Sequence, residues 1–238
     1  MGNYAYTTLL ATDDYVYGVL GLFFSLKEVQ AQYPLHVIVT SNISENIIAI
    51  LDEVGVLYTV MPRVDFKSAR GMHEIPYALT LNKMHLFDLV QYDKVCFIDG
   101  DAVLKDNIDR IFEMDPPGFI VFGSTFLSGV LMLFDPKMHT FKKLYQKFQT
   151  AGTDEVIINT IYSASKVTDL VEFFNSIVHL SHGGTGTQYK YWQLQHLDSI
   201  EKIQKYIQKE HKCNYINLHM ILEKTYIDQQ EACGLLAP

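Results

Sequence analysis

VCFIDGDAVL, residues 95–104, sets four apolar residues against two aspartates one residue apart, Asp99 and Asp101. Val95 to Ile98 reads as a buried strand, and a new apolar run begins at Ala102. Burying an ionised carboxylate without a partner is expensive. A pair of them at the exit of a core strand therefore points to a cation. In isolation a polar turn, with the aspartates bonding nearby backbone, explains the same residues. The elements on either side decide between the two.

Upstream, YAYTTLLAT (4–12) reads as a strand. DDYVYGVLGLFFSLKEVQAQ (13–32) has apolar residues at helical spacing, with acids at its start where a helix N-terminus favours them. LHVIVTS (35–41) is a second strand. SENIIAILDEVG (44–55) is a helix with Ser44 as its expected cap and Gly55 at its end. LYTVMP (57–62) is a third strand. The order β-α-β-α-β predicts an α/β fold, with a mixed, mostly parallel central sheet flanked by helices. Ligands in such sheets bind outside the carboxyl ends of the strands, which is where Asp99 and Asp101 fall.

Downstream, ALTLNKMHLFDLVQY (78–92) is expected to be a helix, and NIDRIFEM (107–114) a short one. GFIVFG (118–123) and SGVLMLFDP (128–136) are expected strands, with Pro116, Pro117 and Gly118 as a turn. HTFKKLYQKFQTAG (139–152) and DEVIINTIYSAS (154–165) are expected helices. Neither a repeat nor a low-complexity linker divides the chain. One domain over 1–238 is expected, with a nucleotide-binding half (1–115), a sugar and acceptor half (116–195) and a helical tail (196–238).

Composition narrows the function. The 238 residues carry 27 acidic against 19 basic side chains, a net charge of −8, without the basic excess of a nucleic-acid binder. Cys96, Cys213 and Cys233 include no C-x-x-C pair, which argues against a disulfide scaffold or a structural zinc site. The N-terminus lacks a signal-peptide pattern. FIVFGSTFLSGVLMLF (119–134) is too short and too polar at its middle for a membrane span. A soluble, cytoplasmic protein is expected.

Other chemistry-bearing residues are weaker one by one. SIVHLSHGGTGTQYKYW (176–192) offers His179 and His182, a loop with Gly183, Gly184 and Gly186, and Lys190. Glycine-rich backbone can approach phosphate oxygens, although a surface loop explains the stretch equally well. Lys83, in LNKMHLF, reads alone as an exposed helix lysine. Asp154 and Glu155 are accounted for by a helix N-terminus.

Taken in order, TTLLATDDYVYGVLGLFFSL, LNKMHLFDLVQYDKVCFIDGDAVLKDNIDRIFE, FLSGVLMLFDP, GTDEVIINT and the later VHL and K-x-W pieces resemble the glycogenin and galactinol synthase group of retaining glycosyltransferases, glycosyltransferase family 8. The likeness runs from about residue 4 to residue 192. It implies a GT-A fold, a UDP-sugar donor and a divalent metal, Mn²⁺ with Mg²⁺ as the substitute. It implies a uridine pocket of Leu9, Ala11, Thr12 and Tyr15, with Lys83 reaching the donor. Asp99, Asp101 and His179 (or His182) are the implied metal ligands, with Gly100 between the acids. Ser128, Gly183, Gly184, Gly186 and Lys190 are the implied further donor contacts, and Asp154 is the acid facing the donor sugar.

The chain departs from that pattern at Leu127, where the group has Asn before Ser-Gly, and at Glu155, where it has Gln. The segment holding glycogenin's self-glucosylated tyrosine has no counterpart, which implies a separate carbohydrate, polyol or glycosylated acceptor. Homodimerisation is left open. Two alternatives remain: a haloacid-dehalogenase-type phosphatase with Asp99 as its nucleophile, and a catalytically inactive UDP-sugar-binding module.

Overall fold

The computed structural model describes residues 2–64, 79–100, 102–123, 125–138, 142–143 and 154–179. Strand β1 (Tyr4–Leu10) leads through a 3-10 turn (Asp13–Tyr15) into α1 (Val16–Glu28). β2 (Leu35–Thr40), α2 (Glu45–Val54) and β3 (Leu57–Met61) follow. All six residues of β2 are buried, the pattern of a parallel strand covered on both faces. β3, β2, β1 and β4 (Lys94–Ile98) run parallel in that spatial order. The chain thus builds outward from β1 to β3, then returns to the other side of β1 with β4. That reversal opens a crevice between the carboxyl ends of β1 and β4.

The sheet continues past β4 with β7 (Phe126–Phe134), β6 (Gly118–Phe122) and β8 (Thr168–Asp169), seven strands in all. β7 is antiparallel to both of its neighbours. Expected and observed fold class agree. A separate two-stranded ladder joins β5 (Ala102–Leu104) to β9 (Ile177–His179). One face of the large sheet packs on α1 and α2, with Leu10, Val19, Leu20, Leu51 and Ile98 in its core. The other packs on residues 81–87 and on α3 (Asp154–Ile161), around Phe87, Phe97, Phe119, Phe134 and Ile157.

Several local expectations change. Residues Leu81–Asp88 form 3-10 turns in place of a continuous α-helix, with seven of their eight residues buried. A short segment sunk into the core on all sides has no solvent face to show helical periodicity. Ser44 occupies the N-cap position of α2 without a side-chain cap bond; its N–H instead donates to Asp13 Oδ1 at 3.0 Å. Residues 107–114 contribute only the 3-10 turn Asp109–Glu113. β7 starts at Phe126, two residues before the expected strand. The expected helix over 139–152 lies outside the described residues apart from Lys142 and Lys143, and the expected tail 196–238 lies wholly outside them.

Pairing between β6 and β7 is irregular. Phe119 faces Met132, while the next residue, Ile120, faces Ser128. Gly129, Val130 and Leu131 therefore form a bulge on β7. Bulges bend a strand and re-aim its groups, and this one lies beside the end of β4.

Candidate active site

β4 stops at Ile98, paired with Leu131 of β7. The next residue, Asp99, donates its N–H to the bulge carbonyl of Val130 at 3.0 Å. The Ala102 N–H then bonds the Asp99 carbonyl at 3.0 Å, closing a tight turn at the crevice. A methyl group at Gly100 would stand 3.1 Å from the Leu9 carbonyl oxygen, 3.4 Å from Thr8 Oγ1 and 3.8 Å from Tyr15 Cδ1. Any side chain here would have to push the Leu9 carbonyl back by a few tenths of an ångström, so glycine lets the turn lie close against β1 and the Tyr15 ring. Of the four residues expected around the base, Leu9 and Tyr15 thus lie against the aspartate turn, while Ala11 and Thr12 follow in the chain between them. The Thr8 hydroxyl is fully buried there and has no hydrogen-bond partner among the described residues.

Lys83 occupies the middle of the site. Its side chain is 8% exposed, and its ammonium lies 2.7 Å from Asp99 Oδ1 and 2.7 Å from Asp154 Oδ2. A third, longer contact of 3.4 Å reaches the Gly129 carbonyl oxygen. The three N–H bonds of the ammonium thus match three oxygens. The Phe97 ring lies 4.9 Å away on its apolar side. Burial alone would lower the lysine pKa, but the carboxylates of Asp154 and Asp99 override it and push the ammonium above its ordinary range. The exposed helix lysine read from LNKMHLF is therefore a buried cation, held there by two acids that are distant in sequence.

Asp154 is 5% exposed. A methyl group at Gly129 would come within 2.8 Å of its Oδ2, so glycine at the bulge admits the carboxylate. The neighbouring Glu155 is half-buried. Its carboxyl is raised above the usual range by burial and then by the charge of Asp154, and the charge of Lys83, followed by the Gly129 N–H, offsets part of that. One ammonium therefore pairs with two carboxylates, Asp99 and Asp154, with Glu155 close enough to feel its charge.

Asn159, one turn further along α3, was read only as part of a helix. Its Oδ1 accepts the Leu127 N–H, and its Nδ2 donates to the Leu127 and Glu155 carbonyls, each at 2.8 Å. The sole sequence signal is an asparagine inside a helix, where its propensity is poor. Leu127, at the position where the resemblance expects an amide, is fully buried. Ser128 is 3% exposed and faces Ile120 of β6.

β9 pairs with β5 so that His179 stands opposite Ala102, the residue after Asp101. The register brings the backbone of the candidate metal histidine beside the aspartate turn, in a small ladder outside the central sheet. Asp101, His182, Gly183, Gly184, Gly186 and Lys190 lie outside the described residues. Among the described residues, no group of three His, Cys, Asp or Glu side chains is arranged to hold a metal. Among them, too, no helix is long and apolar enough to cross a membrane.

Comparison with known proteins matches this framework. The chain is 30% identical to human (Homo sapiens) glycogenin-1 over 194 residues, 76% of this chain and 54% of that protein. It is 32% identical to galactinol synthase 2 of Arabidopsis thaliana over 112 residues, 46% of this chain and 33% of that one. The chain thus spans about half the length of the glycogenin it matches. Among solved structures, the WbbM bifunctional glycosyltransferase superposes with a TM-score of 0.60 at 13% identity, covering 95% of this chain and 52% of its own. GlyE, a glycosyltransferase of Streptococcus pneumoniae, superposes at 0.56 with 15% identity, over 87% of this chain and 64% of its own. These neighbours share the GT-A fold. The sequence model for glycosyl transferase family 8 matches residues 6–159, from the middle of β1 to Asn159. The crevice between β1 and β4, the aspartate turn and the Lys83 cluster all fall inside that match, and the chain belongs to glycosyl transferase family 8.

Proposed function

We propose that the chain transfers a hexose, glucose or galactose, from a UDP-sugar to the hydroxyl of a separate carbohydrate, polyol or glycosylated acceptor, with retention of anomeric configuration. The observation that carries this reading is the Lys83 cluster at the carboxyl edge of the sheet, beside a glycine turn pressed against β1 and Tyr15. The Tyr15 ring and the end of β1 suit a uracil base and ribose. The buried Thr8 hydroxyl and the Gly100 backbone line the same wall.

The donor set fits a hard divalent cation. Asp99 and Asp101 would supply carboxylate oxygens and His179, whose backbone pairs with Ala102, would supply a nitrogen. Lys83 carries one positive charge against the two carboxylates it pairs with, Asp99 and Asp154. A bound Mn²⁺ or Mg²⁺ supplies positive charge for the departing diphosphate. The chain's own part is to hold Asp99 at a fixed angle through Lys83 and the Val130 carbonyl. In the reaction the bond from anomeric carbon to diphosphate oxygen breaks, the bond to the acceptor oxygen forms on the same face, and the acceptor proton passes to the departing diphosphate oxygen. Lys190 and the backbone of Gly183, Gly184 and Gly186 are assigned to the diphosphate. Asp154 is buried and engaged by Lys83, so it serves as the anchor of that lysine, which favours front-face attack over a covalent sugar intermediate. The phosphatase reading needs Asp99 after the first strand of its domain. Here it follows the fourth strand of a family 8 sheet.

A panel of UDP-hexoses assayed with Mn²⁺, scoring both hydrolysis and transfer, tests the reading. Turnover of one donor that vanishes in Asp101→Ala is the expected result. Substantial turnover in that variant removes the metal assignment, and UDP binding without any turnover of a donor reduces the chain to a binding module.

A further inference from the structure

We propose that Asn159 is a positioning residue for transfer, acting as a one-residue surrogate strand that holds the β7 bulge against the Lys83 cluster. The inference rests on the transferase reading above. β4 accompanies β7 only from Leu131 onward. Before the bulge, the Leu127 N–H and C=O meet the carboxamide of Asn159, which returns both bonds as a neighbouring strand would. Its remaining N–H secures the Glu155 carbonyl in the same helix. The amide thus ties the first turn of α3 to the bulge at one point.

Two residues along β7 the consequences converge. The Gly129 carbonyl meets Lys83, its N–H is directed at Glu155, and its missing side chain admits Asp154. The Val130 carbonyl then orients Asp99. Releasing Leu127 frees the bulge to slide against α3, and misplacing a reacting geometry by about 1 Å costs on the order of a hundredfold in rate. Leu9 and Tyr15, on the β1 side of the nucleotide wall, take no part in these bonds, so turnover should change more than donor binding.

The test compares wild type, Asn159→Ala and Asn159→Asp, with Thr160→Ala as a control on the exposed face of α3. Amide exchange and transfer kinetics are read on the same protein. In Asn159→Ala, exchange at Leu127 and Gly129 should quicken about tenfold, with Cys96 and Phe97 of β4 unchanged. Its kcat should fall roughly tenfold to hundredfold, with the donor KM within about twofold. Asn159→Asp keeps the acceptor for the Leu127 N–H, and should regain protection at Leu127 and part of kcat. Protection lost equally across β4 makes Asn159 a residue of general stability and overturns the proposal. So does an unchanged kcat in Asn159→Ala, or an Asp variant with Leu127 protected but activity no better than Ala. If wild type turns over no donor, the transferase reading fails by itself, while exchange at Leu127 and Gly129 still judges the clamp.

Discussion

Replacing Lys83 with methionine removes the cation from between Asp99 and Asp154 while keeping most of the side-chain volume. With an effective dielectric of about 20, each 2.7 Å contact represents about 6 kcal/mol of attraction. Desolvating the ammonium and the carboxylates cancels much of that sum. The remainder is set by what the mutation strands: an acid whose side chain is 7% exposed at Asp154, and one 22% exposed at Asp99. Breaking a buried pair in this way costs about 3–5 kcal/mol. For a chain of this length that corresponds to a fall in Tm of about 6–20 °C. Urea unfolding at pH 7 measures it, in a cycle with Asp154→Asn. The double variant should be more stable than Lys83→Met alone, because it no longer buries an unpaired Asp154, with a coupling of about 2 kcal/mol or more. The pH dependence follows from the raised lysine. Its contribution is complete below the ordinary value of 10.5 and is lost as pH climbs through the higher folded value. The gap between wild type and variant should therefore hold steady from neutrality to about that pH and narrow only beyond it. A loss under about 1 kcal/mol, or single-variant effects that simply add, would refute the account of Lys83 as the keystone of the site.

Gly129→Ala sets a methyl group 2.8 Å from Asp154 Oδ2; it should cost about 1–3 kcal/mol in urea unfolding and lower turnover, and a neutral outcome would mean the bulge is free to yield. Tyr15→Ala should weaken UDP binding by about 1–3 kcal/mol, the usual worth of base stacking on an aromatic ring, read by calorimetry with UDP alone; unchanged affinity would place the base elsewhere. Glu155→Gln tests the raised carboxyl: a raised acid stabilises the fold below its ordinary value of 4.5 and loses that contribution as pH rises through the folded value. The Gln variant should therefore gain on wild type between pH 4 and pH 7 in urea midpoints, and a constant difference would contradict the shift.

The first half of the fold was legible because each of its elements is long enough to show a period. β1, β2 and β3 are runs dominated by apolar, aromatic and β-branched residues, and α2 carries an apolar stripe that ends at Gly55, whose φ of 77° closes the helix. The position of Asp99 at the end of a core strand followed from the same pattern. Harder to see were features made by contact alone. β5 and β9 have three residues each, too short for any periodicity. The bulge at Gly129–Leu131 leaves a single mark, the isolated glycine in an otherwise apolar strand, which does not say how many residues bulge or toward what. Lys83 and Asp154 each look like ordinary helix residues until the two segments meet. Asn159 is a helix-interior asparagine whose purpose depends on a strand more than thirty residues earlier.

The ladder between β5 and β9 bears on the order in which the molecule assembles. Ala102 pairs with His179, 179 − 102 = 77 positions apart, and Lys83 meets Asp154 across 71. Loops of such length charge their closure entropy before any contact returns it, and pairings of long range form slowly. During synthesis β1, β2 and β3 leave the ribosome with their covering helices and can begin to pack. The aspartate turn must wait for residues near 154 and 179 before it is held on both sides. A ribosome paused before residue 154 therefore displays a nascent chain with the first half of its sheet and no finished site, because Asp154 and the strand that pairs with Ala102 are still to come.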